Sequence, residues 1–148
     1  MAIILFAITS LTADFVQDKQ SELFVEPQRS TGVLEYKAPD YLRWEYLSLQ
    51  PLVWEVEGDK GNMNKQIVNM LMLIRQCVQG DFEAAKTNFV VEQKDQHITL
   101  TPRKRELMRL FRKIEIMLQS DSQVAKQVVI YEANGDCTTI RFSNIQMQ

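Results

Sequence analysis

The residues able to do chemistry are few in this chain, and they are scattered. His97 is the only histidine, and it follows a Lys94-Asp95-Gln96 turn in a segment of alternating polarity. A general base needs a hydrogen-bonded partner and a positioned substrate, and nothing near His97 in the sequence supplies either. Glu55 and Glu57 share one face of an extended segment. Paired carboxylates work as acid and base only where their surroundings separate their pKa values, and an edge strand leaves both in water. Cys77 and Cys137 match no metal spacing and are too few for a disulfide scaffold, so they read as two small apolar residues, with pairing left open. There is no Gly-x-Ser-x-Gly, no phosphate loop and no zinc spacing. The chain is therefore expected not to be an enzyme, and no metal or cofactor is implied. One dense basic run remains: Arg103, Lys104, Arg105, Arg109, Arg112 and Lys113, interrupted by Glu106. The overall formal charge is -2 and no nucleic-acid motif accompanies the run, so nucleic acid is not an expected partner. The run reads as a solvated helix face; its functional alternative is docking on an acidic loop or on anionic lipid heads.

With 45% hydrophobic and 24% charged residues in 148, the composition is that of one folded domain with a sizeable core. The apolar run Ala2 to Ile8 is too short to span a membrane and lacks a preceding Lys or Arg. It reads either as the remnant of a secretory signal core or as the first turns of a buried helix. Ile4, Ile8, Leu11 and Phe15 recur at helical spacing and predict a helix over Ala2 to Asp18, with a loop from Gln20 to Thr31. From Gly32 the period becomes two. Leu34 and Tyr36, then Leu42, Trp44 and Tyr46, then Leu52, Trp54 and Val56 mark three half-buried antiparallel strands. Ala38-Pro39-Asp40 and Gly58 to Gly61 supply the turns. Asn64 to Gln79 predicts the clearest helix, ended by Gly80, with Asp81 as cap of a short helix through Ala85. Its apolar stripe of Ile67, Met70, Leu71, Ile74 and Val78 is widened by Val68, Met72 and Leu73. Phe89 to Val91, His97 to Thr101, Ile114 to Leu118, Val124 to Glu132 and Cys137 to Phe142 predict five more strands, with Asn134-Gly135 as a hairpin turn. Between them Leu107, Leu110 and Phe111 suggest helix within Arg103 to Arg112. The pattern predicts an α+β class, an antiparallel sheet with helices on one face.

Several of these segments, in this order, resemble the outer-membrane lipoprotein carrier protein (LolA) family. Leu11 to Gln17, with Phe15 followed two positions on by Gln17, resembles the end of the family's first helix. Gly32-Val33-Leu34, Lys37 with Pro39, and Leu42 with Trp44 resemble its Gly-x-Leu strand, its Lys-x-Pro turn and its apolar-x-Trp strand. Glu57-Gly58-Asp59, Ile98 to Pro102 and Gly135 to Asn144 resemble later motifs. The resemblance implies an incomplete antiparallel β-barrel whose concave face is covered by the helices at Ile4 to Gln17 and Asn64 to Gln79. It implies a periplasmic carrier, with a signal peptide, that binds the acyl chains of lipoproteins in an apolar cavity. An inner-membrane ABC transporter would load it, and it would act as a monomer, shuttling cargo to the outer membrane, with the acceptor there left open. The expected lipid-binding wall is Phe15, Leu34, Tyr36, Leu42, Trp44, Trp54, Leu71 and Ile74, with Arg43 and Met70 as lid or gating residues. A lipid- or lipoprotein-sensing module of the same fold is the alternative. Proteobacterial members carry an arginine before the turn proline, implicated in closing the lid, where this chain has Ala38. Arg43 is the nearby candidate to substitute. That departure, with a chain shorter than the longer carriers, suggests a short, divergent branch.

Overall fold

The computed structural model describes residues 8–48, 50–80, 82–120 and 124–148. Among the described residues the architecture is a ten-stranded, open, wholly antiparallel sheet with three helices. Five strands come first: β1 (Ser10–Gln20), β2 (Gln28–Lys37), β3 (Tyr41–Tyr46), β4 (Leu52–Glu57) and the two-residue β5 (Lys60–Gly61). Helices α1 (Lys65–Gln79) and α2 (Phe82–Ala85) follow. Then come β6 (Phe89–Lys94), β7 (His97–Pro102), α3 (Arg105–Met108), β8 (Phe111–Leu118), β9 (Ala125–Glu132) and β10 (Cys137–Met147). Each half is a meander, and the two join where β1 pairs with β10 in the middle of the order β5-β4-β3-β2-β1-β10-β9-β8-β7-β6. The end strands β5 and β6 are not paired with each other, so the sheet does not close into a barrel.

The expected first helix is a strand from Ser10 onward, and the part of it over residues 1–7 lies outside the described residues. Leu11, Ala13 and Phe15 are buried while Thr12 and Asp14 are exposed, a period of two. Leu11 and Phe15 are four apart and so fit either period; Ala13 between them decides for the strand. The segment also sits between two partners: Leu11 faces Tyr36 on β2, and Phe15 faces Phe142 on β10. Pairing on both sides outweighs a weak local preference.

Two smaller corrections have similar causes. The loop predicted over Gln20 to Thr31 is short, because β2 already begins at Gln28. In the basic segment only Arg105–Met108 is helical, and Phe111 opens β8. A register shift between Phe111 and Lys113 spaces Phe111 three residues from the next buried side chain, Ile114, which imitates helical spacing. The proposed Asp81 cap lies outside the described residues.

Helix α1 begins as its sequence predicts. The Asn64 side chain accepts from the Ile67 amide at 3.0 Å. At its end Gly80 takes a left-handed conformation, φ 73°, and its amide donates to the Gln76 carbonyl. The helix packs against β3 and β4 and also reaches β9. Its buried side chains, Val68, Leu71, Leu73, Ile74, Cys77 and Val78, join the inward side chains of both meanders in one hydrophobic core.

Candidate functional site

The inward face of β1 to β4 is an array of large rings. Phe15 stacks on Trp44 with centroids 3.8 Å apart and planes 19° apart. Tyr46 meets Phe15 edge-on at 5.6 Å and Trp54 edge-on at 5.3 Å. Phe142 of β10 meets Trp44 edge-on at 6.5 Å. Such offset and edge-to-face pairs add to simple area burial. Strand register assembles them: Trp44 stands opposite both Leu34 and Trp54, and Tyr36 opposite both Leu11 and Leu42. Gly32 makes the stack possible. A Cβ there would lie 2.0 Å from the Glu45 carbonyl oxygen and 2.5 Å from the Phe15 ring, so any side chain would push the ring out of place.

The Phe-x-Gln spacing of β1 has a physical role in this array. Phe15 and Gln17 point the same way, and Gln17 accepts from the Tyr46 hydroxyl at 2.9 Å. The ring array thus ends in a satisfied polar contact, and burial pushes the Tyr46 pKa up.

The structure brings together Phe15, Leu34, Tyr36, Leu42, Trp44, Leu71 and Ile74, all within 4% exposure, in one core. Trp54 and Met70 are half-buried and pack against its border. At such low exposure almost no water-sized space lies beside the seven. The expected open cavity is therefore filled by its own walls in this structure. Among the described residues Thr138 is the only polar residue in the buried set, so the interior is almost purely apolar.

Arg43 falls elsewhere. Between buried Leu42 and Trp44 its side chain takes the opposite, outer face, where it pairs with Glu45 at 2.9 Å and lines a groove with Asp14, Glu35 and Gln146. The contacts that fasten α1 to the turn after β2 come from the helix instead. Arg75 donates to the Asp40 carbonyl. Gln79 donates to the Pro39 carbonyl at 2.9 Å and to the Tyr36 hydroxyl at 3.2 Å, and Tyr36 in turn donates to the Pro39 carbonyl at 3.2 Å. Burial lowers the Arg75 pKa from its ordinary value, and Asp40 and Tyr36 oppose that shift. Sequence reasoning missed Arg75 and Gln79, whose four-residue spacing puts them on one flank of the helix. On that flank Arg75 and Gln79 also border a cleft of about 260 Å³ shared with Phe89, Leu107 and Phe111.

The residues singled out for chemistry stay apart. His97 is exposed on β7, 3.8 Å from Glu115. Cys77 and Cys137 are free thiols, the first buried in α1 and the second partly buried at the start of β10. Burial raises the Cys77 pKa to about 12.

The family model described as outer membrane lipoprotein carrier protein LolA matches residues 7–148. The chain belongs to the LolA family. That family is one of periplasmic carriers and not of enzymes. Solved structures that share the LolA-like fold with TM-scores above one half include two that contain MucB. One is the complex of MucA and MucB from Pseudomonas aeruginosa (TM-score 0.52, 10% identity, covering 93% of this chain and 51% of that one). The other is MucB (TM-score 0.53, 12% identity, covering 93% and 53%). The chain spans about half the length of these MucB structures. The LolA superfamily protein NE2245 from Nitrosomonas europaea is also similar (TM-score 0.48, 8% identity, covering 97% and 88%). No curated protein sequence matches. Among the described residues no helix is long and apolar enough to cross a membrane.

Proposed function

We propose that this chain is a periplasmic carrier that holds the acyl chains of lipoproteins between α1 and the inward face of β1 to β4, and moves them from the inner to the outer membrane. The carrying observation is the nearly pure apolar interior under a helix whose Arg75 and Gln79 side chains fasten it to the turn after β2. An alkyl chain gains about 25 cal/mol per Å² of surface removed from water and needs no hydrogen bond. Phe15, Leu34, Tyr36, Leu42, Trp44, Trp54, Leu71 and Ile74 form the wall in this reading, and α1 is the lid over the concave face.

In this reading the structure is the closed form. Cargo enters as α1 moves away from the turn at Ala38 to Asp40, giving up the Arg75 and Gln79 contacts. The acyl chains then replace the side chains of α1 against the rings. Because one apolar partner replaces another, the two states differ by only a few kcal/mol, which a reversible carrier requires. Met70, at the half-buried border, adapts to either partner. No nucleotide or metal takes part in opening. The proposed partners are acylated lipoproteins and the inner-membrane ABC transporter that releases them.

The test is release from membranes. The chain is added to spheroplasts making a radiolabelled lipoprotein, and the medium is examined for a soluble complex. Appearance of the acylated lipoprotein bound to this chain, and not of a Cys→Ser form lacking acyl chains, supports the carrier. Equal capture of both forms sinks it.

A second reading is a lipid- or lipoprotein-sensing module of the same fold, the fold also seen in MucB, which is solved in complex with MucA. A sensor would bind the acylated lipoprotein but not deliver it to outer-membrane vesicles.

A further inference from the structure

We propose that α3 and its flanks form a docking surface for an anionic phospholipid bilayer. The proposal goes beyond acyl-chain carriage and stands whether or not that reading holds.

Cations elsewhere on the strands are mostly spoken for. Lys19 lies by Glu132 and Asp136, Arg29 and Arg141 by Asp18, Arg43 by Glu45, and Lys37 by Glu35. The segment from Arg103 to Lys113 differs. Its first and last cations are engaged: Arg103 donates to the Phe89 carbonyl at 3.1 Å, and Lys113 pairs with Glu115 and lies over the Tyr131 ring. Between them Lys104, Arg105, Arg109 and Arg112 are exposed, and no carboxylate among the described residues forms an ion pair with any of them. Four unneutralised positive charges on so short a stretch stand out on a chain of net charge -2.

The same stretch presents Met108 at 50% exposure, with Leu107 and Leu110 half-buried on either side of it in the sequence. An exposed, flexible apolar side chain flanked along the chain by exposed cations matches a bilayer interface, where phosphates meet the guanidinium groups and the thioether enters the acyl boundary. An acidic protein would complement the charge but would leave Met108 unexplained. Leu107 also borders the cleft beside Arg75 and Gln79, so the docking surface adjoins the fastened flank of α1.

The full chain is tested by flotation with vesicles of phosphatidylcholine, alone or mixed with phosphatidylglycerol. Binding to the anionic vesicles is expected at about 0.05 M salt and is expected to fall away at about 0.5 M as screening shortens the range of attraction. Each exposed cation contributes about fivefold, so Arg105→Gln/Arg109→Gln/Arg112→Gln should weaken binding by about a hundredfold. Lys60→Gln/Lys65→Gln/Lys94→Gln removes three exposed cations from other places and should bind like the wild type. Tryptophan fluorescence and the thermal midpoint check that both variants fold. Should the first variant fail to fold, Met108→Ser and Arg109→Gln singly should each weaken binding. Equal binding to neutral vesicles, no binding to anionic ones, or equal loss in the two triple variants would overturn the proposal. So would binding to polyglutamate without binding to vesicles.

Discussion

The two meanders bury their inward faces with different chemistry. On the β6 to β10 side Ile98, Leu100, Ile114, Ile116, Val128, Ile130 and Ile140 are all at 0% exposure. These are branched aliphatic side chains with few rotamers, and two rings, Phe89 at 4% and Phe111 at 3% exposure, are buried on the same side. On the β1 to β5 side Phe15, Tyr36, Trp44, Tyr46 and Trp54 are rings, and the array runs from fully buried Trp44 out to half-buried Trp54 and to Leu52 at 46% exposure. The Arg75 and Gln79 contacts of α1 also fall on this side, at the turn after β2. One half is a finished core. The other is a set of broad apolar plates with a border open to water and a helix tied to the turn after β2. Under one fold, the first resists change and the second is suited to exchanging partners.

The largest effects come from cutting into each core. Trp44→Ala should cost about 3–5 kcal/mol and Ile116→Ala about 2–5 kcal/mol of stability, read from urea melts. The halves should part company in a second measurement. Binding of a palmitoylated peptide is expected to weaken by about tenfold or more in Trp44→Ala, a loss of ~1.4 kcal/mol, and to stay unchanged in Ile116→Ala. If both variants lose binding alike, the distinction between the halves fails.

Next in size is the fastening of α1. Hydrogen bonds to a charged group are worth about 1.5–3 kcal/mol, so Arg75→Ala should raise the open population by about tenfold or more. Cys77 reports this directly, since its thiol is fully buried in α1 and its pKa is raised to about 12 by that burial. In a Cys137→Ser background at neutral pH, alkylation of Cys77 should be slow in the wild type and about tenfold faster in Arg75→Ala. Unchanged labelling would mean that Arg75 does not hold the helix. Smaller again is Trp54→Ala. At a half-buried border position it should cost about 1 kcal/mol of stability and weaken acyl-peptide binding by roughly fivefold.

How much of this was legible in the residues themselves differs between the same two regions. Strict alternation in β2, β3 and β4 placed Leu34, Tyr36, Leu42 and Trp44 on one face, and the Asn64 and Gly80 boundaries of α1 were readable because caps have local chemistry. β1 was not readable. Leu11 and Phe15 satisfy two periods at once, and only the strands on either side, distant in sequence, select one. Arg43 was misplaced because proximity to Ala38 along the chain says nothing about which face a strand residue takes. Arg75 and Gln79 were invisible because each donates to a backbone carbonyl, which leaves no trace in a sequence pattern. The family motifs supplied the open antiparallel sheet but not β1, and the geometry supplied the fastening.

The smallest expected effect lies on the outer face, at the seam where the meanders join. Asp18 on β1 accepts from Arg29 of β2 at 2.8 and 2.9 Å and from Arg141 of β10 at 3.3 Å. The hydrogen bond from Arg29 does most to hold the Asp18 pKa below 3.8, Arg141 adds to it, and partial desolvation opposes both. A carboxylate whose folded pKa is depressed contributes stability that is present above its unfolded pKa and is lost as pH falls through the folded one. Above the usual carboxylate range the wild type should therefore be slightly more stable than Asp18→Asn, and the gap should close as acid protonates Asp18. The effect is kept small by solvent, because the Arg29 side chain is 66% exposed and Arg141 54%. Urea midpoints measured from neutral pH down through the carboxylate range would reveal it. Acyl-peptide binding should not change, since these groups face away from the rings. A gap that persists undiminished at low pH would mean that the substituted amide disturbs the β2-β1-β10 seam by its shape and not by its lost charge. A change in acyl-peptide binding would mean that the seam couples the rigid half to the exchangeable one, so that the two behave as one body.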